Sequence, residues 1–199
     1  VDCSAGSTGE YGVRNPGYWG IACAPPVGLK LIFYARTVNN KPLELIARVM
    51  QDGKLLAEAG VKRVAGTSPT KLQPSDGWVE YHALLMPLLG TTAGEIEILA
   101  KDCSQQVTFW LDGVSLMPTD AIAGLFRRDL FVKLREMRPG FIRLPGGNYL
   151  EGFGLRTRWN WKDTLGHWAA RSGHYNVRIA AFPSSCTCAL HSCLCCPFT

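Results

Sequence analysis

The chain contains two apolar runs of eight residues, Leu-Lys-Leu-Ile-Phe-Tyr-Ala-Arg at positions 29–36 and Leu-Glu-Leu-Ile-Ala-Arg-Val-Met at positions 43–50. Between them lies Asn39-Asn40-Lys41-Pro42, and asparagine and proline are typical of turns. Aromatic and β-branched side chains in runs of this length favour strands over helices. We therefore predict two β-strands that flank these turn residues.

Further short runs of the same kind follow as far as residue 117. They are separated by Gly, Asn, Pro and Asp, and none has a helical period. The runs are Lys54–Ala57, Val61–Val64, Trp78–Met86, Glu95–Ile98 and Val107–Asp112. Within them, Glu95-Ile96-Glu97-Ile98 alternates strictly, as expected of a strand with one wet face. This series of strands predicts an antiparallel β-sandwich over residues 1–118.

The pattern changes after Pro118-Thr119-Asp120. Apolar residues then recur at near-helical spacing opposite Arg and Lys, which predicts an amphipathic helix over residues 122–137. Arg138-Pro139-Gly140 should end this helix, and Phe141-Ile142-Arg143-Leu144 has the composition of a strand buried on both faces. A helix followed by such a strand is one step of a (β/α) barrel. One step buries too little surface to fold alone, so residues 119–175 are expected to be the first part of an incomplete barrel.

A glycine turn, Pro145-Gly146-Gly147, ends the predicted strand abruptly. Polar side chains flank this turn, namely Arg143, Asn148 and Glu151. In α/β folds ligands bind at the carboxyl ends of the strands, so we predict a ligand site here. The alternative for Arg143 is a core arginine paired with a barrel carboxylate.

The formal net charge of +5 lies in the second part of the chain, where residues 119–199 contain eleven Lys or Arg and five Asp or Glu. These basic residues are scattered and form no RNA-binding signature, so no nucleic-acid partner is expected. No stretch approaches the roughly 20 apolar residues of a membrane span, and no membrane association is expected. The first residue is Val, and no signal segment opens the chain, which we interpret as an internal piece of a longer protein.

Residues 176–199 differ from the rest of the chain. They contain no acidic residue and hold five of the eight cysteines. The spacings Cys-X-Cys and Cys-X-Cys-Cys lack the two-residue gaps of zinc knuckles, so no metal site is expected. We predict a disordered tail, of the kind that a retained intron or a shifted reading frame would produce.

Several segments in a fixed order resemble the α-L-arabinofuranosidases of glycoside hydrolase family 51, most closely the plant and algal type. The matching segments are Asn15–Ile21, Phe109–Pro118, Leu125–Leu130, Pro139–Asn148 and Arg158–Gly166, the last of which includes Trp161-Lys162-Asp163-Thr164. The resemblance covers about residues 11–174. It ends where the cysteine-rich tail, which is not homologous to the family, begins.

The resemblance implies a carbohydrate-binding-like, jelly-roll β-sandwich inserted after the first strand of a (β/α)₈ barrel. It implies a secreted parent enzyme, without cofactor, that hydrolyses terminal non-reducing α-L-arabinofuranosyl residues of cell-wall polysaccharides by a retaining mechanism. The family's sugar-contacting arginine and asparagine fall on Arg143 and Asn148. Trp159 and Trp161 could form a sugar platform or merely cap the barrel. The family's two catalytic glutamates match no segment of this chain.

Two nearby carboxylates, Glu151 and Asp163, do not fit the catalytic pair, because neither follows an asparagine as the family's acid/base glutamate does. A second hypothesis is a non-catalytic carbohydrate-binding module that uses Trp19, Tyr34 or Trp78, although each of these could equally be buried. A third is an inactive truncated product, since an incomplete barrel exposes apolar edges.

Overall fold

The computed structural model describes residues 1–3, 9–37, 44–64, 77–101, 107–143, 150–152, 154–167 and 171. These residues form strands, an α-helix and a 3₁₀ helix. The elements are β1 (Asp2–Cys3), β2 (Tyr11–Asn15), β3 (Ile21–Cys23), β4 (Leu29–Thr37), β5 (Leu45–Gln51), β6 (Lys54–Gly60), β7 (Lys62–Arg63), β8 (Val79–Leu85), β9 (Thr91–Ala100), β10 (Val107–Pro118), α1 (Arg128–Glu136) and the 3₁₀ helix Trp161–Thr164. The chain divides into two compact units, one from Val1 to Lys133 and one that begins at Leu134.

The first unit contains two β-sheets. The first sheet has the strand order β1-β10-β4-β8-β7, and the second has the order β2-β9-β5-β6, with β3 also paired to β9. Every pairing between these strands is antiparallel. The prediction of antiparallel sheets is therefore confirmed.

One hydrophobic core joins the two sheets. Leu31 and Phe33 of the first sheet are fully buried, and they belong to the same cluster as Val49 and Ile98 of the second. Alternation along each strand produces this arrangement, because successive side chains point to opposite faces. Burying each of these large side chains contributes about 1.5–3 kcal/mol relative to leaving it exposed. The alternation at Glu95–Ile98 is confirmed, since both isoleucines are buried and both glutamates are half-buried.

Several of the predicted strands differ in length from the structure. The run Val61–Val64 forms only the two-residue strand β7. The run Val107–Asp112, by contrast, continues as β10 to Pro118, with a register shift between Asp112 and Ser115. Gly113 allows the shift because it has a φ of 58°, which glycine adopts with little strain. Its backbone N–H donates to Asp112 Oδ1 over 2.7 Å.

The predicted helix over residues 122–137 is partly wrong. Helix α1 begins at Arg128, because Ala123 and Gly124 have φ values of 52° and 68° that no right-handed helix contains. At its other end, Arg138 has a φ of 46°, and the helix stops at Glu136. The end before Arg138-Pro139-Gly140 agrees with the prediction.

The apolar side of α1 is not covered. Leu130 and Leu134 of α1 are 49% and 62% exposed, and Met137, just after the helix, is 74% exposed. The strand predicted at Phe141–Leu144 is also wrong over its described part, since residues 141–143 are not a strand and Phe141 is 86% exposed. A buried parallel strand exists only through hydrogen bonds to neighbouring strands, and no described residue pairs with this segment. Leu144 lies outside the described residues.

Candidate functional site

Of the two predicted sugar contacts, one lies among the residues that the structure describes. Arg143 is described and exposed. Asn148 lies outside the described residues, as does the Pro145-Gly146-Gly147 turn. The structure therefore presents an open guanidinium, which offers planar paired donors suited to hydroxyls and carboxylates. The meeting of Arg143 with Asn148 stays a prediction.

A closed loop follows at residues 150–159. The backbone N–H of Trp159 donates to the carbonyl of Leu150 over 3.1 Å, and those of Thr157 and Arg158 both donate to Gly154 over 3.0 Å. Thr157 Oγ1 also accepts from the Gly154 N–H over 3.2 Å. The first of these bonds holds the Trp159 backbone next to Leu150, which follows position 148 by two residues in the sequence.

The second predicted platform residue, Trp161, begins the 3₁₀ helix and is 51% exposed. The Asn160 side chain caps this helix by accepting from the Lys162 N–H over 3.4 Å. Thr164 Oγ1 closes it by donating to the Trp161 carbonyl over 2.6 Å. Trp159 is half-buried. Of the two indoles, Trp161 is therefore the more open to stacking against a sugar, and the choice between platform and cap stays open for both.

The two carboxylates of this region have separate surroundings. Asp163 Oδ1 accepts from Asn160 Nδ2 over 3.1 Å, and the Asp163 N–H donates to the Asn160 carbonyl. Asp163 thus contributes to the local fold of the 3₁₀ helix. Glu151 is exposed within the closed loop. Neither observation gives these residues the paired geometry of a glycosidase acid and nucleophile.

The β-sandwich carries a second group of chemically suitable side chains, on the outer face of β10, β4 and β8. Arg36 Cζ lies 4.6 Å from the ring centroid of Trp110 and 5.0 Å from that of Trp78. Tyr34 Oη donates to Glu80 Oε2 over 2.8 Å, and His82 Nε2 lies 2.6 Å from Glu80 Oε1. Burial, followed by the bond to Glu80, raises the pKa of Tyr34 well above its usual range.

The three module residues suggested by the sequence have different environments. Trp19 is 87% exposed, Trp78 is half-buried and Tyr34 is 2% exposed. The sequence interpretation missed Arg36 and Trp110. Their adjacency depends on the register of β10 against β4, in which the two residues are direct partners. Only a correct strand pairing could have revealed it.

Two classes of feature are absent from the described part of the chain. Within it, no group of three or more His, Cys, Asp or Glu side chains is arranged to hold a metal ion. No helix in the same part has the length and apolar character needed to cross a membrane. The cysteines of residues 186–196 lie outside it.

Comparison with known proteins points to one family. Residues 133–181 match the family model described as the α-L-arabinofuranosidase 1 domain. The chain is 31% identical over 169 residues to α-L-arabinofuranosidase 1 of Arabidopsis thaliana, which covers 84% of this chain and 24% of that protein. It is 30% identical over 132 residues to an extracellular exo-α-L-arabinofuranosidase of Streptomyces chartreusis, covering 58% of this chain and 15% of that protein.

A solved structure gives the same result. The chain superposes on an arabinose-bound family 51 α-L-arabinofuranosidase with a TM-score of 0.67 and 27% identity, covering 87% of this chain and 28% of that one. The chain thus spans about a quarter of the length of the Arabidopsis relative. By its sequence and its fold together, it belongs to the α-L-arabinofuranosidases of glycoside hydrolase family 51.

Proposed function

We propose that the protein of which this chain is part is an α-L-arabinofuranosidase. It would release terminal non-reducing α-L-arabinofuranosyl residues from arabinose-containing polysaccharides, such as those of cell walls, with retention of configuration. The observation that supports this most strongly is the extent of the similarity, since 84% of the chain aligns with an Arabidopsis arabinofuranosidase. An arabinose-bound structural neighbour supports the sugar class.

Arg143 and Asn148 are proposed to hold hydroxyls of the arabinofuranosyl ring. Both lie within the segment that matches the family model, as do Trp159 and Trp161. A guanidinium offers paired N–H donors, and an amide offers both a donor and an acceptor, which together suit the hydroxyls of a neutral sugar. Contacts of this kind accelerate cleavage when they tighten at the transition state. Trp161, half exposed on its capped 3₁₀ helix, would stack against a C–H face of the substrate.

Retaining hydrolysis needs one carboxylic acid to protonate the leaving oxygen and a second carboxylate to attack the anomeric carbon. We propose that neither is supplied by the carboxylates near the turn. Asp163 is engaged with Asn160, and Glu151 lies in a loop closed by its own backbone bonds. The expected catalytic glutamates are therefore sought outside these 199 residues.

The proposed domain organisation follows from the same family. Residues 1–118 would be a carbohydrate-binding-like sandwich of jelly-roll type, residues 119–175 the first part of a (β/α)₈ barrel, and the cysteine-rich end a tail unrelated to the family. The match to the family model runs to residue 181, so this tail would begin after that residue and not at residue 176 as the sequence alone suggests. The uncovered apolar side of α1 supports the barrel, because such a surface is normally buried against further elements. Secretion of the whole protein is proposed from the extracellular Streptomyces relative.

The proposed function is tested on the protein encoded by the uninterrupted coding sequence around this chain. We expect that protein to hydrolyse 4-nitrophenyl α-L-arabinofuranoside and the 199-residue chain alone to give no turnover. Arg143→Ala should lower kcat/KM of the longer protein about 100-fold, the order of loss for one transition-state donor. Arg156→Ala removes another exposed arginine of the same region and should change little. Activity on other glycosides but not on the arabinofuranoside would refute the proposal.

A further inference from the structure

The outer faces of the two sheets carry different chemistry. On the second sheet, Arg48 pairs with Glu10 and with Glu58, and Arg14 pairs with Glu95. Such ion pairs are typical of a solvated face and contribute little to stability. The outer face of the first sheet instead presents tryptophans, an arginine and carboxylates together. Indole rings exposed beside hydrogen-bonding groups are a composition more typical of a binding surface than of a solvated one.

Arg36 contacts both tryptophans on the outer face of the first sheet. Its guanidinium lies between the rings of Trp110 and Trp78, at 4.6 Å and 5.0 Å from their centroids. The Arg36 Nε atom is buried and has no hydrogen-bond partner. The two rings therefore fix the guanidinium by cation–π contact rather than by salt bridges. Trp110 remains 41% exposed, so part of its indole is open to a ligand.

Polar groups occupy the adjacent row of the same face. Asp112 lies opposite Tyr34 on β4, and Tyr34 lies opposite Glu80 on β8. Residues in direct register have Cβ atoms about 5 Å apart. Asp112 is exposed, and the Tyr34 hydroxyl and His82 are both bonded to Glu80. An aromatic row thus borders a row of hydrogen-bonding groups.

We propose that a glycan chain binds across the outer face of β10, β4 and β8. Trp110 would stack against the C–H face of one sugar ring, while Asp112 and the Arg36 guanidinium bond its hydroxyls. On this face the charges of Arg36 and Lys30 are matched by the carboxylates of Asp112 and Glu80, which suits a neutral polyol better than a polyanion such as a nucleic acid. The proposal rests on the proposed function only for the choice of an arabinose-decorated polymer.

Affinity electrophoresis of the 199-residue chain through gels that contain arabinan, arabinoxylan or undecorated xylan tests the proposal. We expect retardation by at least one of these polymers, and a loss of at least about tenfold in affinity for Trp110→Ala. Trp110→Phe keeps a ring and should bind with intermediate affinity. Trp19→Ala removes a more exposed indole, 87% accessible, and should bind like the wild type. Thermal unfolding of each variant checks that it is folded.

A second measurement does not depend on any variant. Tryptophan oxidation by N-bromosuccinimide, located by peptide mass spectrometry, should be slowed at Trp110 by saturating oligosaccharide and unchanged at Trp19. Retardation by undecorated xylan alone would support the glycan site and count against the arabinose-containing substrate. No retardation by any polymer, or equal oxidation of Trp110 with and without sugar, would overturn the glycan site and leave the proposed hydrolase activity untouched.

Discussion

Gly152 lies directly against the backbone of Thr157. A Cβ placed on Gly152 would lie 2.4 Å from the Thr157 carbonyl oxygen, and the φ of Gly152 is 60°. Only glycine meets both conditions without strain. This contact is made inside the loop whose Trp159 N–H bonds Leu150, so it fixes the course of the chain that leads to the predicted platform.

The first prediction is that Gly152→Ala opens this loop. The backbone of residues 157–158 would have to move, and strain of this kind costs on the order of 1–3 kcal/mol. Hydrogen exchange at the Thr157, Arg158 and Trp159 amides should accelerate by at least about tenfold. Gly154→Ala is the matched control, because a Cβ there meets nothing within 4 Å. Unchanged protection in Gly152→Ala would contradict the closed loop.

The second prediction concerns two glycines in strands. A Cβ on Gly12 of β2 would lie 1.9 Å from the Ile98 carbonyl oxygen of β9, whereas one on Gly60 of β6 meets nothing within 4 Å. Gly12→Ala should therefore lower the free energy of unfolding by more than about 2 kcal/mol, and Gly60→Ala by less than about 0.5 kcal/mol. Urea denaturation of the two variants measures both. Equal losses would show that β2 does not pair with β9 as described.

The third prediction is an alkaline loss of stability that depends on Tyr34. Burial, then the bond to Glu80, raises the pKa of Tyr34, and an unfolded tyrosine ionises near pH 10. Because the folded protein holds this proton more tightly, the stabilisation is complete below about pH 10 and is lost as the pH rises further. Tyr34→Phe should cost about 1.5–3 kcal/mol at neutral pH and flatten the loss above pH 10.

The control for this prediction is Tyr18→Phe, since Tyr18 is 78% exposed. That variant should keep the wild-type pH dependence. Burial also raises the pKa of Tyr81, so part of the alkaline slope should remain in Tyr34→Phe. Urea unfolding between pH 8 and about 11 supplies the data. An identical slope in the wild type and in Tyr34→Phe would contradict the assignment.

The fourth prediction compares the stability cost of one substitution in this chain and in a longer protein. Leu134 is 62% exposed here, so Leu134→Gln should change the unfolding free energy of the 199-residue chain by less than about 0.5 kcal/mol. In a protein with a complete barrel the same substitution should cost about 2–5 kcal/mol, because a leucine would be removed from a packed core. Phe33→Ala, at a site with no exposure, should cost about 3–5 kcal/mol in both. A neutral Leu134→Gln in the longer protein would count against the barrel.

The sandwich was predictable because its signal is local. Alternation such as that of Glu95–Ile98 records which face of a strand is buried, and each strand carries its own copy of this information. The start of α1 was not predicted, because the positive φ values of Ala123 and Gly124 override an apolar period that continues through them. The segment at Phe141 fails for a different reason. Its strand character depends on neighbours that a single run of residues does not contain.

The candidate site residues likewise differ in whether the sequence alone reveals them. Arg143 is a candidate that the sequence alone suggests, because a polar residue beside a glycine turn is visible there, and its role stays a prediction. The contact between Arg36 and Trp110 joins residues 74 positions apart, and it exists only in one register of β10 against β4. Shifting that register by one residue would turn Trp110 into the core, so this contact could be identified only once the pairing was known.

The extra residue at Gly113 divides β10 into two parts. Odd-numbered residues face the core in the first part, and even-numbered residues face it in the second. Before Gly113, even-numbered residues such as Trp110 face outward; after it, Val114 and Leu116 pack toward the core. A one-residue insertion between Trp110 and Gly113 would turn the side chains of one part of β10 to the opposite face of the sheet while leaving the other part unchanged. Removal of Gly113 would leave the side chains of both parts on their present faces. Variation in length along this strand should therefore be tolerated at position 113 and rejected on either side of it.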